Sequence, residues 1–515
     1  MRFSIFLFLI LAVMALLPIQ AQPEPDDILF VRQGVKRFVF DIEQGIPLSS
    51  LDPKSIIGLA SMHPVTHYME EEAELVLEEG QLVVRSESET QTSIWFGGFN
   101  PFATYVLDLG DVKGRGEIGF AFGDAERQLR VTVQYTDGEI RDTIMEIYND
   151  SSRIFSESIL TRSGNMVSGK LILQMLGSGL TLYLQQEGLP LAIGQGEFSR
   201  QLDLRKKKYI HQFQSHVFVG IDSGVVQINH VKAGLGAGMG LADIRAITYE
   251  DGSPLMDQGR IWYTMTIRGR ALPHPLQGVF SLDPSVFDIR LEGVILFDRN
   301  DGLLRNEVAS HVFFDRKEQL WKGLTTGFSA YADPTEEKQL LTIQSKKDPR
   351  FGFSVMQAEP FGMVGDIEDP HLIYDEGVGK WRMLTCINQN GYKAILLESE
   401  HWNKGFVPVA GPVSVNSTGT SIQKIGGKRF CFSGSSERDI FIYSYPDLKE
   451  AGTLKMDLPP WDANSGTRVW PNVIELPEGY PSRYLALMMD RYNYPGISGP
   501  QWTYGAIYLY HGSTE

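Results

Sequence analysis

The chain has 515 residues, 43% of them hydrophobic, and a formal net charge of −16 at pH 7. That length suits two or three domains, and the apolar content is ample for packed cores, which excludes a disordered protein. The negative balance excludes nucleic acid and anionic membrane as partners, since both require basic patches; Arg205-Lys206-Lys207-Lys208 is too short a run to reverse it.

Residues 1–21 read as a secretory signal, with Arg2 as the charged start, Ile5 to Leu17 as the apolar core and Ile19-Gln20-Ala21 as a small-residue cleavage site. The apolar run is shorter than the ~20 residues a membrane span needs. The mature chain is therefore expected to be periplasmic or secreted, without membrane insertion once the signal is removed. A Pro/Asp-rich leader occupies 22–37. From about Phe38 to Gly234 short alternating strands follow one another, among them Glu74-Leu75-Val76-Leu77, Gln81 to Arg85, Leu129 to Tyr135 and Lys170 to Leu176. Turn signals such as Asp137-Gly138 separate them, and the series predicts a β-sandwich over 38–234. Its last strands, His216 to Ile221 and Val225 to Ile228, resemble the closing strands of concanavalin-like jelly-roll domains.

Gly234-Leu235-Gly236-Ala237-Gly238-Met239-Gly240 comes next, with Gly at every second position. It precedes a strand, opens no helix and lacks the Lys-Ser/Thr of a phosphate loop, so it is expected to be a flexible hinge. No cofactor motif is present. Cys386 and Cys431 lie within predicted strands at different offsets, which favours two buried thiols over a disulfide.

The region 235–515 repeats itself. His311-Val312-Phe313-Phe314-Asp315 and His371-Leu372-Ile373-Tyr374-Asp375 are each followed by Trp, at 321 and 381. Three stretches opening at Asp243, Gly419 and Trp470 share the outline, with starts roughly 50 to 65 residues apart, the length of a four-stranded propeller blade with its loops. Five such units predict an all-β, five-bladed propeller after the sandwich, with the first residues of each inner strand aimed into a funnel.

Aligning the strand starts sets Arg245, His311, His371, Ser421 and Asn472 at one level, with Asp243, Ala309, Asp369, Gly419 and Trp470 two residues earlier. Glu307 and Arg468 lie four residues before the first level. Burying so many charges together costs several kcal/mol each without a binding or catalytic role. The catalytic candidates are therefore Asp243, Glu307, Glu368 and Asp369; the substrate-binding candidates are Arg245, His311, His371, Ser421, Arg468, Trp470 and Asn472. Glu368 belongs to the other face of an ideal strand unless a bulge turns it inward. The two histidines either face a ligand or bridge neighbouring blades. Zinc is a third use for them, but no HxH or HExxH spacing exists. Asp315 and Asp375 read as turn residues, Trp321 and Trp381 as packing aromatics.

The stretch Gly365-Asp366-Ile367-Glu368-Asp369-Pro370-His371, continued by Gly379-Lys380-Trp381, resembles a blade of the five-bladed propeller glycoside hydrolases of families 43, 32 and 68 and newer bacterial relatives. Gly466-Thr467-Arg468-Val469-Trp470-Pro471-Asn472 fits the same group, over roughly 240–515 in all. The resemblance implies glycosidic-bond hydrolysis by carboxylates from successive blades: a base or nucleophile Asp on the first, an Asp that tunes pKa on the second and a Glu acid on the third. Asp243 matches the first place, and Glu368 or Asp369 the third. No Asp opens blade two, where Glu307 is the nearest substitute. The expectation is an exported glycoside hydrolase acting on a plant or algal polysaccharide or oligosaccharide, with Arg245 and Arg468 suited to the carboxylate of an acidic sugar. A non-catalytic glycan-binding protein and a polysaccharide lyase are the alternatives.

Overall fold

The computed structural model describes residues 23–40, 45–47, 74–78, 81–175, 179–268, 275–332, 335–435, 439–459, 470–498 and 504–514. The expected signal sequence, His63, His67 and Arg468 lie outside them.

The N-terminal half is a sandwich whose layers share two long strands, Thr104–Gly123 and Gln214–Leu235. In one layer, Gly114 to Gly123 pairs with Arg127–Thr136 and with the first half of Gln214–Leu235. In the other, Thr104 to Leu109 pairs with Gly169–Met175 and with the second half. Gly114 and Gly224 face each other where both strands turn from layer to layer. Both have positive φ, and a Cβ on either would fall about 2 Å from a backbone carbonyl oxygen (2.0 Å from that of Ser223, 2.1 Å from that of Lys113). The inward side of every second residue fills the core, as with Ile118, Phe120 and Phe122 against Val131 and Val133.

The second half is a ring of five antiparallel blades. The inner strands are Gly240–Ala246, Val308–Asp315, Ile367–Asp375, Thr418–Ile425 and Asn472–Glu475. Each contacts the next, and the fifth contacts the first, which closes the ring. Blades one and two are joined along their outer edges, where Gly293 to Asp298 runs parallel to Gly352 to Gln357. Blade five holds a correction to the sequence reading. Residues 28–37, expected to be leader, form the strand Ile28–Arg37, which pairs with Ala506–Thr514 and so completes the last blade from the far end of the chain. Ile28 and Phe30 are buried in its core, while Val31 and Val35 stay exposed, so the local pattern is too weak to announce a strand.

The glycine-rich stretch after the sandwich is a packed connection and not a free hinge. Ala237 and Met239 are buried, and Gly238, at φ +66°, lies where a Cβ would meet the Arg268 carbonyl at 2.7 Å. Cys386 and Cys431 are buried free thiols. Asp315 caps its turn by accepting the Lys317 and Glu318 N–H groups, and Trp321 and Trp381 pack in blade cores. Among the described residues, no helix is long and apolar enough to cross a membrane.

Candidate active site at the inner-strand openings

Four inner strands open with the same irregularity. The register slips between Ala242 and Arg245, Val308 and His311, Glu368 and His371, and Thr418 and Ser421. At each slip one residue takes positive φ: Asp243 (51°), Ala309 (55°), Asp369 (61°) and Gly419 (60°). A non-glycine residue there costs about 1–3 kcal/mol and re-aims its side chain. Three of the four are not glycine, so the ring stores strain at the level where its carboxylates gather.

Asp243, on blade one, is 4% exposed. Its Oδ2 accepts from Arg268 Nη2 at 2.5 Å, and Arg491 Nη2 stands 4.0 Å from Oδ1. On blade three, Asp369 Oδ2 accepts the Gly419 N–H at 2.7 Å and the Cys386 thiol at 3.6 Å. Burial, then the negative charges of Glu368 and Asp243, push the Asp369 carboxyl up to about 7 against the pull of the Gly419 N–H and Arg245. Glu368 keeps 18% of its side chain accessible, and its Oε1 receives Lys338 Nζ and, at 2.7 Å, the Tyr392 hydroxyl. Both donors also reach Asp366 Oδ1, at 2.5 and 2.6 Å. The phenol has a single proton and serves one carboxylate at a time, while Lys338 has protons for both. Burial, reinforced by these carboxylates, holds that phenol proton far above the ordinary tyrosine range, so Tyr392 remains a donor.

Arg245 is fully buried. Nη1 donates to the Thr420 carbonyl, Nη2 to the Asp369 carbonyl at 3.3 Å, and the guanidinium covers the Trp470 ring at 5.0 Å. Burial lowers its pKa to about 10, which still leaves it charged at neutral pH. With no exposed surface and both terminal nitrogens on backbone oxygens, Arg245 does not clamp a substrate carboxylate; it ties blades one, three and four together. Trp470, 3% exposed, is the floor of that contact.

His311 and His371 are also fully buried, stacked at 4.1 Å and 17°. Leu372 N–H donates to His311 Nδ1 at 3.0 Å, which places the ring proton on Nε2, where it bonds Thr248 Oγ1 at 3.0 Å. Ile422 N–H reaches His371 Nδ1 at 3.4 Å in the same way. Each ring therefore accepts from the next blade's inner strand, and burial keeps both well below the ordinary histidine range and neutral. Of the two readings of this repeat, the geometry supports the bridge. Ser421 does likewise, donating to the Pro471 carbonyl at 3.4 Å, and Asn472 is 1% exposed. Glu307 is fully buried with both oxygens on Ser329, at 2.6 and 2.7 Å, so it anchors the segment Phe328–Ala332 and offers no surface to a sugar.

His311→Ala is accordingly expected to cost about 2–5 kcal/mol of stability, from the cavity and the stranded Leu372 N–H. Denaturant unfolding measures this. A raised KM with unchanged stability would instead restore the substrate-contact reading.

Arg268, Arg491, Lys338, Tyr392 and Cys386 were not among the sequence candidates. Arg268 and Cys386 lie at or near the ends of second strands, opposite Gly240 and Glu368 in register. Aligning hairpin partners as well as inner strands would have pointed to both.

No protein-family model matches the chain, and no curated protein matches it. Among solved structures, it aligns with the GH43_1 enzyme from Xanthomonas citri complexed with xylotriose, at 12% identity over 53% of this chain and 87% of that one, with a TM-score of 0.37. The α-L-arabinofuranosidase from Podospora anserina in complex with cellotriose aligns at 9% identity over 53% and 91%, with a TM-score of 0.34. The catalytic domain of the Coprinopsis cinerea GH62 α-L-arabinofuranosidase aligns at 11% identity over 53% and 91%, with a TM-score of 0.36.

Proposed function

We propose that the protein is an exported glycoside hydrolase that works at the inner-strand openings of blades one and three. One observation carries this reading: Asp243 and Glu368, each paired with a cation (Arg268 and Lys338), flank a shared buried carboxyl, Asp369, which feels the charge of both. Hydrolysis of a glycosidic bond needs two carboxyl groups in different protonation states. Asp243, ion-paired with Arg268 and close to Arg491, is the carboxylate that activates water or attacks the anomeric carbon. Glu368, the most accessible of the three, gives its proton to the departing oxygen. Lys338 must move towards Asp366 as Glu368 takes that proton. Asp369 is as buried as Asp243 but is held by the Gly419 N–H and the Cys386 thiol instead of by a cation, and its charge state sets the field between the other two. Arg245 is spent on backbone oxygens, so an acidic substrate loses its main support and a neutral glycan is the simpler choice.

Incubation with plant and algal oligosaccharides tests the proposal. New reducing ends without ultraviolet absorbance from an unsaturated product support hydrolysis. An unsaturated product would establish a lyase, and binding without any product would establish a non-catalytic glycan-binding protein.

A further inference from the structure

The sandwich carries a second concavity, built by the sheet layer Thr90–Gly98, Gln214 to Ile221, Gly114 to Gly123, Arg127–Thr136 and Glu139–Asn149. One face of this layer is the apolar core. On the other, the central strand presents Gly119, Ala121 and Gly123, with no side chain longer than a methyl group, while the strands beside it present Phe218 and Arg130 and the next strand out presents Tyr148. The result is a groove of ≈ 690 Å³, within the range of small-ligand sites.

Its floor holds polar groups that the protein leaves unsatisfied. Arg130 is 8% exposed; its guanidinium lies 3.7 Å from the Phe218 ring and 4.7 Å from that of Tyr148. Nη2 bonds Gln128 Oε1 at 3.1 Å, but Nε has no partner. His216 Nδ1 has none either. A buried polar atom without a partner costs about 1–3 kcal/mol, and Arg130 Nε with His216 Nδ1 in one groove call for an occupant that supplies donors and acceptors together. The remaining lining fits that need. Gln91, Gln128, Gln212 and Gln214 bring planar amides, and the Trp95 indole N–H fixes the Gln214 amide by bonding its Oε1 at 3.1 Å. Asp124 and Glu126 offset Arg127 and Arg130, and burial holds His216 below its ordinary pKa, so the groove has no charge bias towards an anion or a cation.

We propose that this groove binds a neutral, hydroxyl-rich oligosaccharide, independently of the propeller site. Such a ligand offers several hydroxyls that both donate and accept, and its ring faces suit the aromatic and Arg-covered floor. The site stands whether or not the propeller proves to be a hydrolase.

Titration calorimetry on the full chain tests this with neutral xylo-, arabino-, cello- and manno-hexasaccharides, and with oligogalacturonate as the acidic arm. Asp243→Asn prevents cleavage during the measurement. At least one neutral oligosaccharide should bind, and Ser93→Trp, which fills the groove, should weaken that binding by about tenfold or more. Gln128→Ala should weaken it in the same direction, and neither variant should alter turnover of a short soluble substrate. Absence of binding by every neutral probe, binding of the acidic probe alone, or binding indifferent to both groove variants would overturn the proposal. Groove binding without any hydrolysis by the native chain would defeat the propeller reading and leave this one intact.

Discussion

Asp243→Asn is expected to lower turnover by about 10²- to 10⁴-fold, the usual worth of a catalytic acid or base. The change keeps the volume of the side chain and removes only its charge. The structure adds a consequence that the strand alignment did not contain. Asp243 is ion-paired with Arg268, whose side chain is 4% exposed, so the amide takes one anion away from a buried guanidinium. Removing one member of a buried pair costs about 3–5 kcal/mol. A loss of activity alone would therefore be ambiguous between chemistry and folding. The double variant Asp243→Asn/Arg268→Met separates them, since it removes both charges and should recover part of the stability but none of the rate. Rates measured well below the unfolding transition, with near-normal turnover by Asp243→Asn on a substrate the native chain cleaves, would sink the mechanism.

Much of the architecture was legible because a propeller repeats a local unit. The spacing of the starts at Asp243, Ala309, Asp369, Gly419 and Trp470 located the inner strands, and all but Trp470, which just precedes its strand, lie within them. The strand from Ile28 to Arg37 was not legible, because its partner is the last strand of the chain and half of its apolar residues face solvent. The alignment placed Asp243, Glu368 and Asp369 at the strand openings but could not say which of the neighbouring polar residues are spent inside the ring. His311 and Asp369 open equivalent strands, yet one is spent on blade-to-blade hydrogen bonds and the other is strained and charge-coupled. That difference depends on a bulge and on burial, neither of which a period of two reveals. The clustering of charge was the reason to look for chemistry at these openings, and part of that cluster, Arg245 with the histidines, makes hydrogen bonds from blade to blade.

The choice between Glu368 and Asp369 as proton donor has an experimental answer with a large effect on either side. With Glu368 as the donor, Glu368→Gln lowers the rate on a natural glycoside by about 10²- to 10⁴-fold. It does far less harm on an aryl glycoside whose leaving group departs without a proton. Asp369→Asn then keeps turnover within about tenfold, because the amide oxygen still accepts the Gly419 N–H. Its signature lies in stability. The Asp369 carboxyl sits near 7 in the fold, above its ordinary value of 3.8, so the folded state holds this proton more tightly than the unfolded chain. The contribution to stability is complete below about pH 4 and is lost as pH rises towards 7. Asn cannot titrate, so Asp369→Asn gains on the native protein by about 1–3 kcal/mol between pH 4.5 and pH 8. Denaturant unfolding at both pH values reads this difference, with other titrating groups cancelling between the two proteins. If Asp369→Asn instead abolishes turnover while Glu368→Gln leaves it near normal, the donor is Asp369.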